Sequence, residues 1–146
     1  MIDSQWIGHP LPASVLPIER SRLQFFAKAI GEDDPIYLDA DAARRAGYRD
    51  IPAPPTFLFA AELDSGALDQ LLATLGIPLS KLLHGEQGFT YHRAACVGDT
   101  VTVRSTISDI YSKKGGALEF VVKTSRATNQ DDQLVAELRT VMVCRN

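Results

Sequence analysis

The spacing of hydrophobic residues changes once along the chain, from a helical period to a strand period. In residues 19–30 apolar residues recur at intervals of three and four, which predicts an amphipathic helix. Gly31 follows, where a left-handed residue commonly ends a helix. From Gly85 onward apolar and polar residues alternate, as in residues 100–107, and this period of two predicts strands. A chain in which the helices come before the strands is typical of an α+β domain.

Capping residues predict two further short helical segments. Asp34 directly precedes Pro35, and this pair is typical of the start of a helical turn. Either Asp39 or Asp41 is placed to cap a second short helix, which Gly47 would close. We therefore expect short helices between the first amphipathic helix and the rest of the chain.

The most apolar segment, residues 56–75, is rich in Leu, Ala and Phe and is interrupted by Gly66. It predicts a buried helix followed by a more amphipathic one, and we expect the first of these to be the core helix. Residues 8–17 hold three prolines, which favours an extended arm or one short strand.

The second half of the chain predicts a three- or four-stranded antiparallel meander. Turn residues at 113–116 and 129–132 separate the strand at 100–107 from alternating segments at 118–128 and 134–143. Residues 84–93 also alternate and predict a further strand. Such a sheet needs a helix to cover its apolar face.

Length and composition predict one ordinary globular domain spanning residues 1–146. With 45% hydrophobic and 23% charged residues, a chain of 146 residues can form a core without disulfides or a structural metal. Its net charge of -3 argues against binding to nucleic acid or to an anionic membrane.

Targeting and redox signals are weak in this sequence. The first residues carry an acid where a signal peptide would carry basic residues, and the longest apolar run is the five residues from Phe57 to Ala61. Cys96 and Cys144 form no C-x-x-C motif, so we expect two buried free thiols in a cytoplasmic protein.

Three segments are candidates for chemistry. Residues 31–39 hold a carboxylate cluster, which is consistent with helix caps and solvated acids or with a loop for a divalent metal. Residues 84–93 carry two histidines that lie too far apart along a strand to share one metal. The proline-rich loop before Thr56 either lines an apolar slot or simply begins the core helix.

Several segments together resemble one family, the MaoC-like hydratases and dehydratases of the hotdog fold. The likeness is to the N-terminal-type half of the fatty-acid-synthase-like (R)-3-hydroxyacyl thioester dehydratases. It implies an α+β hotdog fold: an antiparallel sheet wrapped around a central helix, with additional short helices in the N-terminal half. The segments that carry the likeness are residues 22–31, 35–37, 47–57, 84–87, 91–93 and 98–99.

The resemblance also implies a reaction, the reversible addition of water across an α,β-unsaturated acyl thioester. The substrate is carried on coenzyme A or acyl carrier protein, and no further cofactor or metal is implied. A carboxylate and an imidazole share the proton transfers, while a backbone N–H polarises the thioester carbonyl.

The catalytic loop of active members resembles Gly-Asp-x-Asn-Pro-(Ile or Leu)-His, and this chain departs from it. Glu32 stands at the aspartate, Asp34 at the asparagine and Tyr37 at the histidine. A glutamate can still act as a base, but a phenol with a pKa of about 10 is a poor proton shuttle at neutral pH. Loss of one acid–base partner typically lowers the rate by about 10²- to 10⁴-fold.

The resemblance therefore implies a substrate-binding, catalytically impaired half that pairs with a histidine-bearing hotdog subunit. Glu32 and Tyr37 are the predicted remnants of the catalytic pair. The resemblance is compatible both with a homodimer and with a heterodimer that contains a catalytic MaoC-like subunit. The predicted substrate-binding residues are Asp34, Pro55, Thr56, Gly85, Glu86 and Gln87.

Three alternatives stay open. The chain is a self-sufficient homodimeric hydratase with Glu32 as base and Tyr37 as hydrogen-bond donor, or it is a non-enzymatic module that binds acyl thioesters. A thioesterase is the third, because the hotdog fold hosts several chemistries.

Overall fold

Five antiparallel strands form one sheet in the computed structural model, which describes the whole chain, residues 1–146. The strand order is β1-β3-β4-β5-β2, so β1 and β2 are the two edge strands. The expected α+β architecture is confirmed. The strands are β1 (Ser14–Pro17), β2 (Leu82–Tyr91), β3 (Thr100–Lys113), β4 (Leu118–Thr128) and β5 (Leu134–Arg145).

The four helices precede most of the sheet, as the sequence predicts. Gly66, at a φ of 71°, separates the third helix from the fourth. Short 3-10 turns lie at Pro35–Tyr37 and Phe57–Phe59 and at three other places. The helices are α1 (Arg20–Ala29), α2 (Ala40–Arg45), α3 (Ala60–Asp64) and α4 (Ala67–Leu75).

The predicted helix caps are confirmed. The Asp34 side chain accepts a hydrogen bond from the Ile36 N–H at 3.0 Å, at the start of the 3-10 turn. Asp39, rather than Asp41, caps α2 by accepting from the Ala42 N–H at 2.6 Å. Each cap satisfies a backbone donor that has no partner within its own helix.

The sheet is larger than the predicted meander. β3, β4 and β5 are consecutive neighbours, but β1 joins β3 and β2 joins β5. β3 extends to Lys113, beyond the alternating residues 100–107, and its register with β4 shifts between Ile107 and Asp109. Such a bulge inserts an extra residue and interrupts the period of two.

The helix α3 and the turn before it form the core of the fold. Phe57, Leu58 and Ala61 pack into a cluster with buried residues of β1, β3, β4 and β5. Ala61 is 0% exposed, which confirms the prediction that the first part of residues 56–75 is the core helix. Burial of each large apolar side chain contributes about 1.5–3 kcal/mol.

A second cluster lies under α4. Its helical members, Leu71, Leu72 and Leu75, pack against Val121 and Met142 of the sheet. Cys96 and Cys144 are both buried and free, as expected. No helix is long and apolar enough to cross a membrane.

A buried polar network lies between α3 and the sheet. Glu62, which is 3% exposed, forms an ion pair with Lys123 of β4. Its other carboxylate oxygen accepts hydrogen bonds from Ser105 at 2.9 Å and Ser125 at 3.0 Å. A buried carboxylate is tolerated only when it is paired and hydrogen-bonded, and these three partners meet that need.

The loop before β3 is held by Asp99, which is 4% exposed. Its carboxylate accepts hydrogen bonds from the Cys96 N–H at 2.8 Å, from Arg49 at 2.5 Å and from Gln130 at 3.0 Å. Burial acts to raise the pKa of Asp99, but the bonds from Cys96, Arg49 and Gln130 outweigh it and hold this pKa below its usual range. The charged form is therefore the one that stabilises the fold.

We expect Asp99 to make stability depend on acidity. Because its pKa is lower in the folded state, its contribution is present above the unfolded pKa of about 4 and is lost as the pH falls through the folded value. Asp99→Asn is expected to lower the free energy of unfolding at pH 7 by about 1–3 kcal/mol. It should also make this free energy depend less on pH below pH 7. Urea unfolding between pH 7 and pH 2 measures both effects. Asp131→Asn, which changes an exposed carboxylate nearby, is the control. An equal loss of stability with falling pH in wild type and Asp99→Asn would contradict the assignment.

Gly85 allows a close approach between β2 and β5. The register of β2 shifts between His84 and Glu86, and a Cβ added at Gly85 would lie 2.8 Å from a Val143 methyl and 3.1 Å from the Val141 carbonyl. No side chain fits there without movement of the partner strand.

Gly85→Ala is expected to lower the free energy of unfolding by about 1–3 kcal/mol, as overpacking does. Gly88→Ala on the same strand is the matched control, because its added Cβ would meet only ordinary contacts at 3.8 and 3.9 Å. Denaturant unfolding of both variants makes the comparison. Equal losses of unfolding free energy in the two variants would show that the effect comes from backbone conformation rather than from the Val143 contact.

Candidate active site

The loop between α1 and α2 uses its carboxylates to order its own backbone. Glu32 accepts a hydrogen bond from the Asp34 N–H at 3.0 Å, and Asp34 accepts from the Ile36 N–H at 3.0 Å. Neither carboxylate is hydrogen-bonded to Tyr37, although both lie close enough to influence its ionisation. The loop is therefore held as a scaffold, and its two acids face a tyrosine rather than an imidazole.

The pKa of the Tyr37 phenol is raised above its ordinary value. Burial is the largest cause, followed by the charges of Tyr48, Glu32, Asp34 and Tyr91. A phenol with a raised pKa keeps its proton at neutral pH, so Tyr37 can donate a hydrogen bond but does not act as a base. A proton shuttle at this position would require the opposite shift.

Tyr37 opens into a surface cleft of about 400 Å³, the Tyr37 cleft. Pro55, from the proline-rich loop, lies on the same cleft, so two of the predicted site residues are brought together here. The cleft is lined by Tyr37, Tyr48, Pro52, Ala53, Pro55, Tyr91, His92, Arg93 and Ala94.

Thr56 and Gln87 lie together in a second cleft of about 400 Å³, the Gln87 cleft. Most of its walls are apolar or aromatic, which suits an aliphatic chain more than a charged group. It lies where β2 passes the start of the core helix. The cleft is lined by Phe26, Thr56, Phe59, Ala60, Leu63, His84, Gln87 and Phe89.

Thr56 and Tyr91 stand between the two clefts. The Thr56 N–H donates a hydrogen bond to the Tyr91 hydroxyl at 2.8 Å. Thr56 also has a φ of 75°, an unusual conformation for a β-branched residue that costs about 1–3 kcal/mol. Such strain is concentrated at functional sites, and here it directs a backbone donor to the boundary between the clefts.

Gly85 and Glu86 are placed differently from Gln87. The bulge at Gly85 turns Glu86 to the outer face of the sheet, where it pairs with Arg139 at 2.8 Å. Gly85 itself packs against Val143. Neither Gly85 nor Glu86 lines the Tyr37 cleft or the Gln87 cleft. The structure therefore brings together Thr56 and Gln87, but it places Gly85 and Glu86 elsewhere.

No cluster of three or more His, Cys, Asp or Glu side chains is arranged to hold a metal ion. His84 lies on β2 and His92 directly follows it, and the two side chains contact different partners. His84 packs edge-to-face on Phe59 with ring centroids 5.2 Å apart, and His92 contacts Glu137 at 2.9 Å.

Sequence reasoning missed the polar pair behind the Gln87 cleft. Lys123 follows Val121 and precedes Ser125 in the alternation of β4, so the period of two already places it on the inward face. A lysine at such a position is rare unless it is paired, so the sequence alone indicated a buried partner for Lys123. Its partner Glu62 could not be identified, because a helix of five residues carries too little periodicity.

Comparison with known proteins agrees with this architecture. Residues 5–138 match the family described as the FAS1-like dehydratase domain region. A UPF0336 protein of Parafrankia sp. is 35% identical over 145 residues, which cover 99% of this chain and 95% of that protein.

Solved structures share the same fold. A chain of the C-terminally truncated HadBC (3R-hydroxyacyl-ACP dehydratase) complex from Mycobacterium tuberculosis has a TM-score of 0.82 at 24% identity, covering 94% of this chain and 96% of that one. The (R)-hydratase from A. caviae involved in PHA biosynthesis has a TM-score of 0.71 at 20% identity, covering 93% and 94% respectively. The expected hotdog fold is confirmed.

We expect ultraviolet titration to detect the raised pKa of Tyr37. The absorbance difference between wild type and Tyr37→Phe should reveal a phenol that ionises above the ordinary value of about 10. Glu32→Gln removes one of the charges that raise this pKa, so it should lower it, whereas Glu19→Gln, which is not among those charges, should not. An unshifted difference titration, or equal effects of the two glutamine variants, would contradict the electrostatic assignment.

Proposed function

Because this chain belongs to the family of FAS1-like dehydratase domain regions, we propose that it is the substrate-binding half of an (R)-specific enoyl-thioester hydratase or 3-hydroxyacyl-thioester dehydratase. In this proposal its own acid–base site is impaired. A second hotdog subunit with an intact catalytic loop supplies the carboxylate and the imidazole. The substrate is an acyl thioester of coenzyme A or of acyl carrier protein.

The observation that carries the proposal is the chemistry of Tyr37. It stands where the resemblance places the catalytic histidine, and burial together with neighbouring charges raises its pKa. Hydration of an enoyl thioester needs a group that both accepts and releases a proton near neutral pH. A phenol that holds its proton supports a binding role over a catalytic one.

The boundary between the clefts supports the same conclusion. A backbone N–H such as that of Thr56 is the kind of donor that polarises a thioester carbonyl. Here the Tyr91 hydroxyl already accepts this hydrogen bond, at 2.8 Å. A substrate carbonyl would have to displace Tyr91, which favours an acyl chain bound in the Gln87 cleft with its thioester directed toward a partner's site.

The free edge of β2 supports a partner. β2 pairs only with β5, so ten residues of backbone, Leu82–Tyr91, have one unpaired side. Exposed edges of this length are normally paired or protected. The HadBC structure, which has the same fold, is that of a complex, and pairing through β2 would set the Gln87 cleft beside a second subunit.

We expect this chain alone to give no measurable hydration of crotonyl-coenzyme A. Mixing it with a MaoC-like subunit that carries the intact loop Gly-Asp-x-Asn-Pro-Ile-His should raise the rate by at least about 10²-fold, the typical worth of one acid–base group. Loss of enoyl-thioester absorbance measures the rate, and sedimentation measures the complex.

Controls separate binding from catalysis in that assay. Gln87→Leu should raise the KM of the mixed enzyme, because Gln87 lines the cleft, whereas Thr90→Val on the opposite face of the same strand should not. The partner is also assayed without this chain. Turnover by this chain alone, abolished by Glu32→Gln, would overturn the proposal in favour of a self-sufficient homodimer, and failure of the two chains to associate would overturn it as well.

A further inference from the structure

A small cavity of about 130 Å³ lies behind the Gln87 cleft, between the central helices and the sheet. The two spaces share Phe59, Leu63 and His84, so they adjoin at the Phe59–His84 aromatic pair. The cavity is mainly apolar, with a polar end formed by Glu62, Lys123 and Thr140. Its apolar and aromatic lining comprises Phe59, Leu63, Leu68, Leu82, Leu83, His84 and Met142.

The polar end of this cavity has unused hydrogen-bond donors. The Lys123 side chain is 7% exposed, and its ammonium contacts one protein acceptor, Glu62. An ammonium carries three N–H donors, so two of them have no partner in the protein. Glu62, by contrast, already accepts from Lys123, Ser105 and Ser125. Lys123 therefore has two unused donors to offer a ligand, while Glu62 already takes three of the roughly four hydrogen bonds that a carboxylate can accept.

A row of polar residues runs from the Gln87 cleft to this end. Gln87, Thr140 and Lys123 are in register across β2, β5 and β4. The Thr140 hydroxyl donates to the Gln87 side-chain oxygen at 2.8 Å. This polar row crosses three strands of the concave face, and it ends at the unused donors of Lys123.

Size and charge define the ligand. An engineered cavity of about 150 Å³ holds benzene, so this one accommodates about six carbon atoms. Because Glu62 already neutralises Lys123, a second carboxylate would leave an uncompensated charge in an apolar site, which is costly. A neutral oxygen, as in a ketone or an alcohol, accepts the free N–H groups without that cost.

We propose that this cavity receives the distal part of the acyl chain and that Lys123 donates a hydrogen bond to a neutral oxygen on it. Lys123 is then a specificity-determining residue that favours acyl chains with a keto or hydroxyl group far from the thioester. The acyl-thioester part of this statement rests on the proposed function. Binding of a short ketone in the cavity does not rest on it.

The two methionines make a direct test possible. Met142 lines the cavity and Met1 is 100% exposed, so protein labelled with ¹³C at the methionine methyls gives one reporter and one internal control. The probes are 2-hexanone and its isostere 2-methyl-1-hexene, in which a methylene replaces the carbonyl oxygen. We expect both to shift the Met142 signal and to leave Met1 unmoved.

The paired variant Lys123→Leu/Glu62→Gln removes both charges together without adding a methionine, so neither charge is left buried alone. It should weaken 2-hexanone about tenfold, the worth of one charge-assisted hydrogen bond, without weakening 2-methyl-1-hexene. Lys28→Leu, at an exposed lysine on α1, is the matched control. Equal effects on the two probes, or no Met142 response to 2-hexanone, would overturn the proposal.

A second measurement needs no change at Lys123. The infrared carbonyl stretch of ¹³C-labelled 2-hexanone bound to the wild type should lie below its value in hexane, because a hydrogen bond to an ammonium weakens that bond. A stretch equal to the value in hexane overturns the proposal even if the paired variant fails to fold. Leu68→Phe, which fills the cavity, should abolish the signal. No thioester or partner subunit is used, so these results are independent of the hydration assay.

Discussion

The burial of α3 against the concave face of the sheet is the contact on which the rest of the structure depends. Phe57, Leu58 and Ala61 fill the space between strands that are far apart in the chain. A curled sheet has an apolar concave face that must be covered, and a short helix with small residues such as Ala61 can approach it closely. The clefts, the loop before the helix and the edge strand β2 all take their positions from this contact.

Glu62 gives that contact a polar centre. Its bonds to Lys123, Ser105 and Ser125 join the helix to β3 and β4. A buried ion pair of this kind adds little net stability, since desolvation offsets much of the attraction. It does constrain the geometry, because the carboxylate must stay within hydrogen-bonding distance of all three donors. Apolar packing supplies the stability here, and the polar network selects the arrangement.

The candidate site combines a preserved scaffold with altered chemistry. The caps at Asp34 and Asp39 order the backbone of the loop, while Tyr37 is a phenol with a raised pKa and the Tyr91 hydroxyl accepts the hydrogen bond of the Thr56 N–H. A loop can retain its conformation after losing its reactive group, because backbone caps and side-chain chemistry depend on different atoms. The proposed binding role depends instead on the apolar Gln87 cleft and on the free edge of β2.

Local features of this protein were readable from the sequence alone. The helices at 20–29 and 40–45, the break at Gly66 and the strand at 118–128 follow from periodicity and capping, which act between residues near one another in the chain. The tyrosine at position 37, where the resemblance places a histidine, was readable too, because residue identity needs no coordinates. The tertiary structure decided that β2 lies beside β5, that the bulge at Gly85 turns Glu86 away from Gln87, and that Lys123 meets Glu62. The contact between Lys123 and Glu62 joins residues 61 positions apart, and a local pattern shows which face a residue occupies but not what lies opposite it.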